Sequence, residues 1–131
     1  MRFILYQNAA QWSNPVSSIT NIEEGLLSLK DSWRKGDILV LPEMFSTGFI
    51  TEESQLSNRN HLIENQEYTL DWMQRFSQEN LVSVMGSIPY WNGEHLFNRL
   101  FVIDEGNKVG QTEHGPYNKR HLFGIAGENR M

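Results

Sequence analysis

No cysteine occurs anywhere in the 131 residues. That absence excludes disulfides, thiolate zinc sites and a cysteine nucleophile supplied from within the chain. Long hydrophobic runs are missing too, since no stretch approaches the roughly 18 apolar residues needed to span a membrane. The apolar part of Met1-Arg2-Phe3-Ile4-Leu5-Tyr6-Gln7-Asn8 is too short for a signal peptide. A cytoplasmic location with no membrane contact is the expectation. A basic excess is also lacking: 11 Lys and Arg face 16 Asp and Glu, for a net charge of −5. Nothing there would meet the phosphates of a nucleic acid. The histidines, at 61, 95, 114 and 121, have no metal-ligand spacing. The glycines fit no phosphate-binding fingerprint, and Ser46, Thr47 and Ser87 lack the strand–elbow context of a serine nucleophile. Neither a metal nor another cofactor is implied.

What the chain does contain is the pattern of one soluble domain, 39% hydrophobic and 21% charged. Residues 3–8 read as a strand. Asn14-Pro15 reads as a helix start, with Asn as N-cap and Pro in the first turn. Val16, Ile19, Ile22, Leu26, Leu29 and Trp33 follow at helical spacing, and Gly36 is placed to end the helix. Residues 38–41 form a short apolar run suited to a strand covered on both faces. Residues 51–60 read as a loop. A second helix is expected over 64–79, burying Tyr68, Trp72, Met73 and Phe76. Strands are expected over 81–88 and 96–103, then a hairpin turn at 104–107 and a strand over 108–112. From His114 onward the sequence reads as a long structured loop. The order predicts an α/β layer with helices on one side of a mixed sheet, whose opposite face nothing in the chain covers.

Two segments carry groups suited to chemistry. In Leu41-Pro42-Glu43-Met44-Phe45-Ser46-Thr47-Gly48-Phe49 a carboxylate follows a buried strand, where the loops of an α/β sheet leave a crevice for ligands. In Tyr117-Asn118-Lys119-Arg120-His121-Leu122-Phe123 a lysine lies among aromatic and apolar residues, where an ammonium can stabilise an oxyanion. Taken singly, Glu43 also reads as a solvated acid and Lys119 as part of a solvated basic turn. Glu128, nine residues beyond Lys119, signals nothing alone.

Together the two segments resemble the glutamate and lysine motifs of the nitrilase (carbon–nitrogen hydrolase) superfamily, most closely its bacterial omega-amidases. Asn98-Arg99-Leu100-Phe101-Val102-Ile103 is similar to the strand these enzymes place before their hairpin. The resemblance covers essentially the whole chain and implies an αββα sandwich, of which residues 1–131 would supply the amino-terminal half as a partial domain. It implies that Glu43 is the general base, Lys119 holds the oxyanion, and Glu128 helps orient lysine and substrate. Phe45, Phe49, His121 and Phe123 would line the substrate pocket.

The expected reaction is hydrolysis of the terminal amide of 2-oxoglutaramate or a similar 2-oxo acid amide, with release of ammonia and no cofactor. The family's nucleophilic cysteine would lie after residue 131, so the isolated chain is expected to be inactive. The end at Arg130-Met131, on neither a capped element nor a polar tail, fits an incomplete domain. Homo-oligomerisation or association with a second half is expected to cover the bare sheet. Other readings are an N-carbamoyl amide hydrolase or nitrilase of the same superfamily, or a non-enzymatic half-sandwich serving as a subunit or binding module.

Overall fold

The structure is a computed structural model that describes residues 1–109 and 117–120, with residue 55 described in its backbone only. Its elements are β1 (Phe3–Leu5), α1 (Pro15–Leu26), a 3₁₀ turn (Leu27–Leu29), β2 (Ile38–Val40), α2 (Glu53–Leu56), α3 (Arg59–Asn80), β3 (Ser83–Trp91), β4 (Leu96–Asp104) and β5 (Asn107–Val109). They form one sheet in the order β1-β2-β3-β4-β5, parallel from β1 to β3 and antiparallel from β3 to β5.

Local chemistry explains most of these boundaries. The Asn14 side chain accepts a hydrogen bond from the Ser17 N–H at 3.0 Å, and Pro15 fills the first turn of α1. Asn58 caps α3 in the same way, accepting from the His61 N–H at 3.2 Å. The second helix thus begins at Arg59 rather than 64, and α2 occupies part of the segment read as a loop. Glu105 and Gly106 both have positive φ, 46° and 80°, the backbone of a two-residue hairpin turn that matches strand twist. That turn falls where the sequence places it, although β5 begins at Asn107; residues 110–112 of the expected strand lie outside the described residues.

Side chains alternate across each strand. Leu39, Val84 and Ile103 sit in one cross-strand row and face the helices. They pack with Ile19, Ile22, Leu26, Leu70, Trp72 and Met73 into the buried core. The next row, Leu5-Val40-Met85-Val102-Val109, points the other way. Among the described residues nothing covers it: Leu5 is 77% exposed and Phe3, on the same face, 60%. Among the described residues, one side of the sheet is packed against helices, while on the other side the edge residues Phe3, Leu5 and Val109 are exposed.

Asp37 fastens the parallel edge. Its buried carboxylate accepts from the Arg2 guanidinium, from the Arg2 N–H at 3.1 Å and from the Arg34 N–H at 2.9 Å. These hydrogen bonds, above all those from the Arg2 side chain, hold its pKa far below the ordinary carboxylate range. A depressed carboxylate contributes stability that is complete above its unfolded-state pKa of about 3.9, and is lost as pH falls through the folded-state value. Asp37→Asn is therefore expected to lower the melting temperature at neutral pH and to flatten its decline below about pH 4, as scanning calorimetry across pH would show. An unchanged acid limb would contradict this role.

Candidate active site

The ladder of β2 runs one residue past the strand, with the Leu41 N–H donating to the Met85 carbonyl at 2.8 Å. Pro42 then ends pairing, and Glu43 follows at the strand end on the open side of the sheet. Met44 holds a left-handed φ of 53°, a strained conformation for a residue with a Cβ. Its N–H donates to Ser87 Oγ at 3.2 Å, and its carbonyl accepts from the Gly48 N–H at 2.8 Å.

The loop is anchored along its length. Phe45 plunges into the core against Trp72, where Gly86 makes room; a Cβ at residue 86 would lie 2.7 Å from the Phe45 ring. The Asn8 side-chain amide donates to the Phe45 carbonyl at 3.1 Å, the Ser13 N–H to the Thr47 carbonyl at 2.8 Å, and Trp12 Nε1 to the Phe49 carbonyl at 2.8 Å. Glu43 is thus carried by a loop with little freedom to swing.

The second half of the site comes from residues 117–119, which pair with β4 on the edge that also carries β5. The Leu100 N–H donates to the Tyr117 carbonyl at 3.0 Å, and the Lys119 N–H to the Asn98 carbonyl at 2.9 Å. Arg99 Nε donates to Asn118 Oδ1 at 2.8 Å. Side-chain alternation then sends Lys119 to the open side. Its Nζ lies 2.7 Å from Glu43 Oε1, although 76 residues separate the two. Asn98 Nδ2 donates to the same oxygen at 2.6 Å. An open depression of about 260 Å³ surrounds the pair, lined by Glu43, Ser87, Asn98, Leu100, Tyr117 and Lys119. A carboxylate and an ammonium at one strand end, half-covered and beside an apolar sheet face, can exchange a proton and stabilise a nearby anion.

The sequence expectations fall unevenly on this geometry. Glu43 and Lys119 come together. Phe49 lies beside them, its ring centroid 5.9 Å from Lys119 Nζ. Phe45 does not face the crevice: it is 1% exposed and belongs to the core, because the turn that follows Glu43, with Met44 at positive φ, directs its ring under the sheet. His121, Phe123 and Glu128 lie outside the described residues. Asn98 and Ser87 are site residues that the sequence reading gave no role. The available signal for Asn98 was a single amide on the face of β4 that otherwise carries Leu100 and Val102.

These features define half of a layered α/β protein with an acid–lysine pair at a strand end. Residues 8–131 match the carbon–nitrogen hydrolase family, and the chain belongs to it. It is 26% identical over 129 residues to the omega-amidase YafV of Yersinia enterocolitica, covering 98% of this chain and 44% of that protein. It is 23% identical over 111 residues to the 2-oxoglutaramate amidase of Bacillus subtilis, covering 83% of this chain and 39% of that one. The chain therefore spans less than half the length of these relatives. Among solved structures, a CN-hydrolase superfamily protein from Xanthomonas campestris superposes with a TM-score of 0.72 at 22% identity, covering 97% of this chain and 43% of that one. A glutamate-to-leucine variant of an amidase from Nesterenkonia sp., bearing an acetamide moiety on its active-site cysteine, gives 0.74 at 15% identity, with 98% and 46% covered. The fold is the amino-terminal half of an αββα sandwich.

Proposed function

We propose that this chain supplies the general base and the oxyanion-holding lysine of a Glu–Lys–Cys amidase, with the cysteine coming from sequence outside these residues. The observation that carries the reading is the 2.7 Å contact between Glu43 and Lys119 in a crevice on the open side of the sheet. Glu43 accepts the proton of the cysteine thiol, and the thiolate attacks the amide carbon. Lys119 donates to the oxyanion of the tetrahedral intermediate. Glu43 returns its proton to the leaving nitrogen and ammonia departs, leaving a thioester. Glu43 next takes a proton from water, which attacks the thioester; that proton finally restores the thiol, and the acid is released. One carboxylate alternates as base and acid, so it must stay fixed throughout.

The substrate class is the terminal amide of a 2-oxo acid such as 2-oxoglutaramate. The support is similarity across 98% of the chain to an omega-amidase and across 83% to a 2-oxoglutaramate amidase. Glu128 remains proposed to help orient lysine and substrate, and Phe49, His121 and Phe123 remain proposed lining residues. The open row from Leu5 to Val109 is the surface that a second sheet, or a second copy, would cover. Burying a side chain such as Leu5 or Phe3 there would stabilise the assembly by about 1–2 kcal/mol each.

The assay that tests the reading follows ammonia release by the complete enzyme from 2-oxoglutaramate and from N-carbamoyl-β-alanine. A kcat/KM at least tenfold higher for 2-oxoglutaramate is expected. Preference for the carbamoyl compound would refute the omega-amidase assignment and leave the amidase chemistry intact.

A further inference from the structure

Among the described residues, Asn98 is the most buried polar side chain lining the crevice, 4% exposed, on an apolar sheet face. A polar group there is costly unless its hydrogen bonds are made. Its Nδ2 donates to Glu43 Oε1 at 2.6 Å. Chemistry fixes which end of the amide points that way, because the amide oxygen so near an ionised carboxylate would set two acceptors against each other. Pairing with residues 117–119 does not need this side chain. It uses the Asn98 carbonyl and the Leu100 N–H, both backbone groups.

Lys119 and Asn98 donate to the same carboxylate oxygen, yet they are not equivalent. An oxyanion forming in the crevice draws on the lysine ammonium, whose side chain is long and rotatable. The Asn98 amide is short, neutral and fixed on an interior strand. Among the described residues nothing donates to Glu43 Oε2. We infer that Asn98 is a positioning residue for Glu43, holding Oε1 while Lys119 turns to the oxyanion, so that Oε2 is the oxygen that gives and takes the proton. This rests on the Glu–Lys–Cys reading of the site.

The test compares three variants of the complete enzyme on 2-oxoglutaramate. Asn98→Leu keeps the size and removes the donor. Its kcat is expected to fall roughly 10- to 100-fold with KM within about twofold, since positioning a general base acts on the chemical steps. A crystal structure of this variant should show the Glu43 carboxylate displaced. Asn98→Asp restores a donor only while the new carboxyl is protonated, because two carboxylates this close resist ionising together. Its activity should approach the native value at acidic pH and fall as pH rises, along a limb the native enzyme lacks. A merely structural role lowers melting temperature in both variants without producing that limb.

Native kcat and an unmoved Glu43 in Asn98→Leu, with Glu43→Gln inactive, would overturn the inference alone. A native enzyme without amidase activity, or a fully active Glu43→Gln, would overturn the Glu–Lys–Cys reading and the inference with it. Should Asn98→Leu fail to fold, a native-shaped pH profile for Asn98→Asp overturns the inference.

Discussion

Taken by itself, the 131-residue chain should release no ammonia from 2-oxoglutaramate above the buffer rate. The reason is chemical before it is structural. Glu43 can accept a proton and Lys119 can stabilise an anion, but the chain has no cysteine to attack the amide carbon. Groups that act as a unit fail as a unit, and loss of the nucleophile from such a set lowers kcat on the order of a millionfold. Applied to a typical kcat of about 10 s⁻¹, that factor leaves roughly one turnover per day. A coupled ammonia assay on pure chain checks the expectation. Sustained release, proportional to chain concentration and abolished by Lys119→Ala, would contradict it.

In the complete enzyme, Glu43→Gln should lower kcat by about 10³- to 10⁴-fold while hardly changing stability. General base catalysis contributes 10²- to 10⁴-fold per step, and in the proposed mechanism one carboxylate serves both thioester formation and thioester hydrolysis. Glutamine matches the shape of glutamate and retains an acceptor for Asn98 and Lys119, but it cannot carry the proton. The lost charge pair is half-exposed, with side-chain exposures of 18% for Lys119 and 39% for Glu43. Pairs in such settings are worth about 0–1 kcal/mol once solvent screening is counted. The signature is thus a collapse in kcat with a melting temperature shifted by a few degrees at most. Steady-state kinetics beside calorimetry reads both. Comparable losses in stability and activity would point to a structural role for Glu43.

Much of this was legible in the sequence, and the exceptions have definite causes. Ile19, Ile22 and Leu26 are buried as their spacing predicts. Val16 is 53% exposed because, at 100° per residue, it stands about 90° from the centre of that stripe. Tyr68 is exposed for a related reason. The buried side of α3 runs through Leu62, Asn65, Thr69, Met73 and Ser77, and includes polar residues that a hydrophobic search passes over. Of the predicted stripe, Trp72 and Met73 are buried and Phe76 packs against the core, so only Tyr68 falls off this face.

The start of α3 was hidden in the same way, since the polar segment after Asn58 is helical through its cap and not its hydrophobicity. At the site, Glu43 and Lys119 were found through flanking sequence, while their contact depends on a strand pairing between residues 98–100 and 117–119 that no local pattern encodes. Asn98 went unrecognised because its meaning lies in the register that sets it beside Glu43. Phe45 was misplaced because the left-handed turn at Met44, which no local pattern signals, directs it into the core.

The most direct measurement is intact-mass analysis of the complete enzyme, quenched within its first turnovers of 2-oxoglutaramate. The expected result is a covalent acyl adduct on a cysteine outside residues 1–131, formed by the native enzyme and absent on that timescale from Glu43→Gln. An adduct on any residue within 1–131, or one that forms as fast without the Glu43 carboxylate, would contradict the division of labour in which this chain supplies the base and the oxyanion lysine and another supplies the nucleophile.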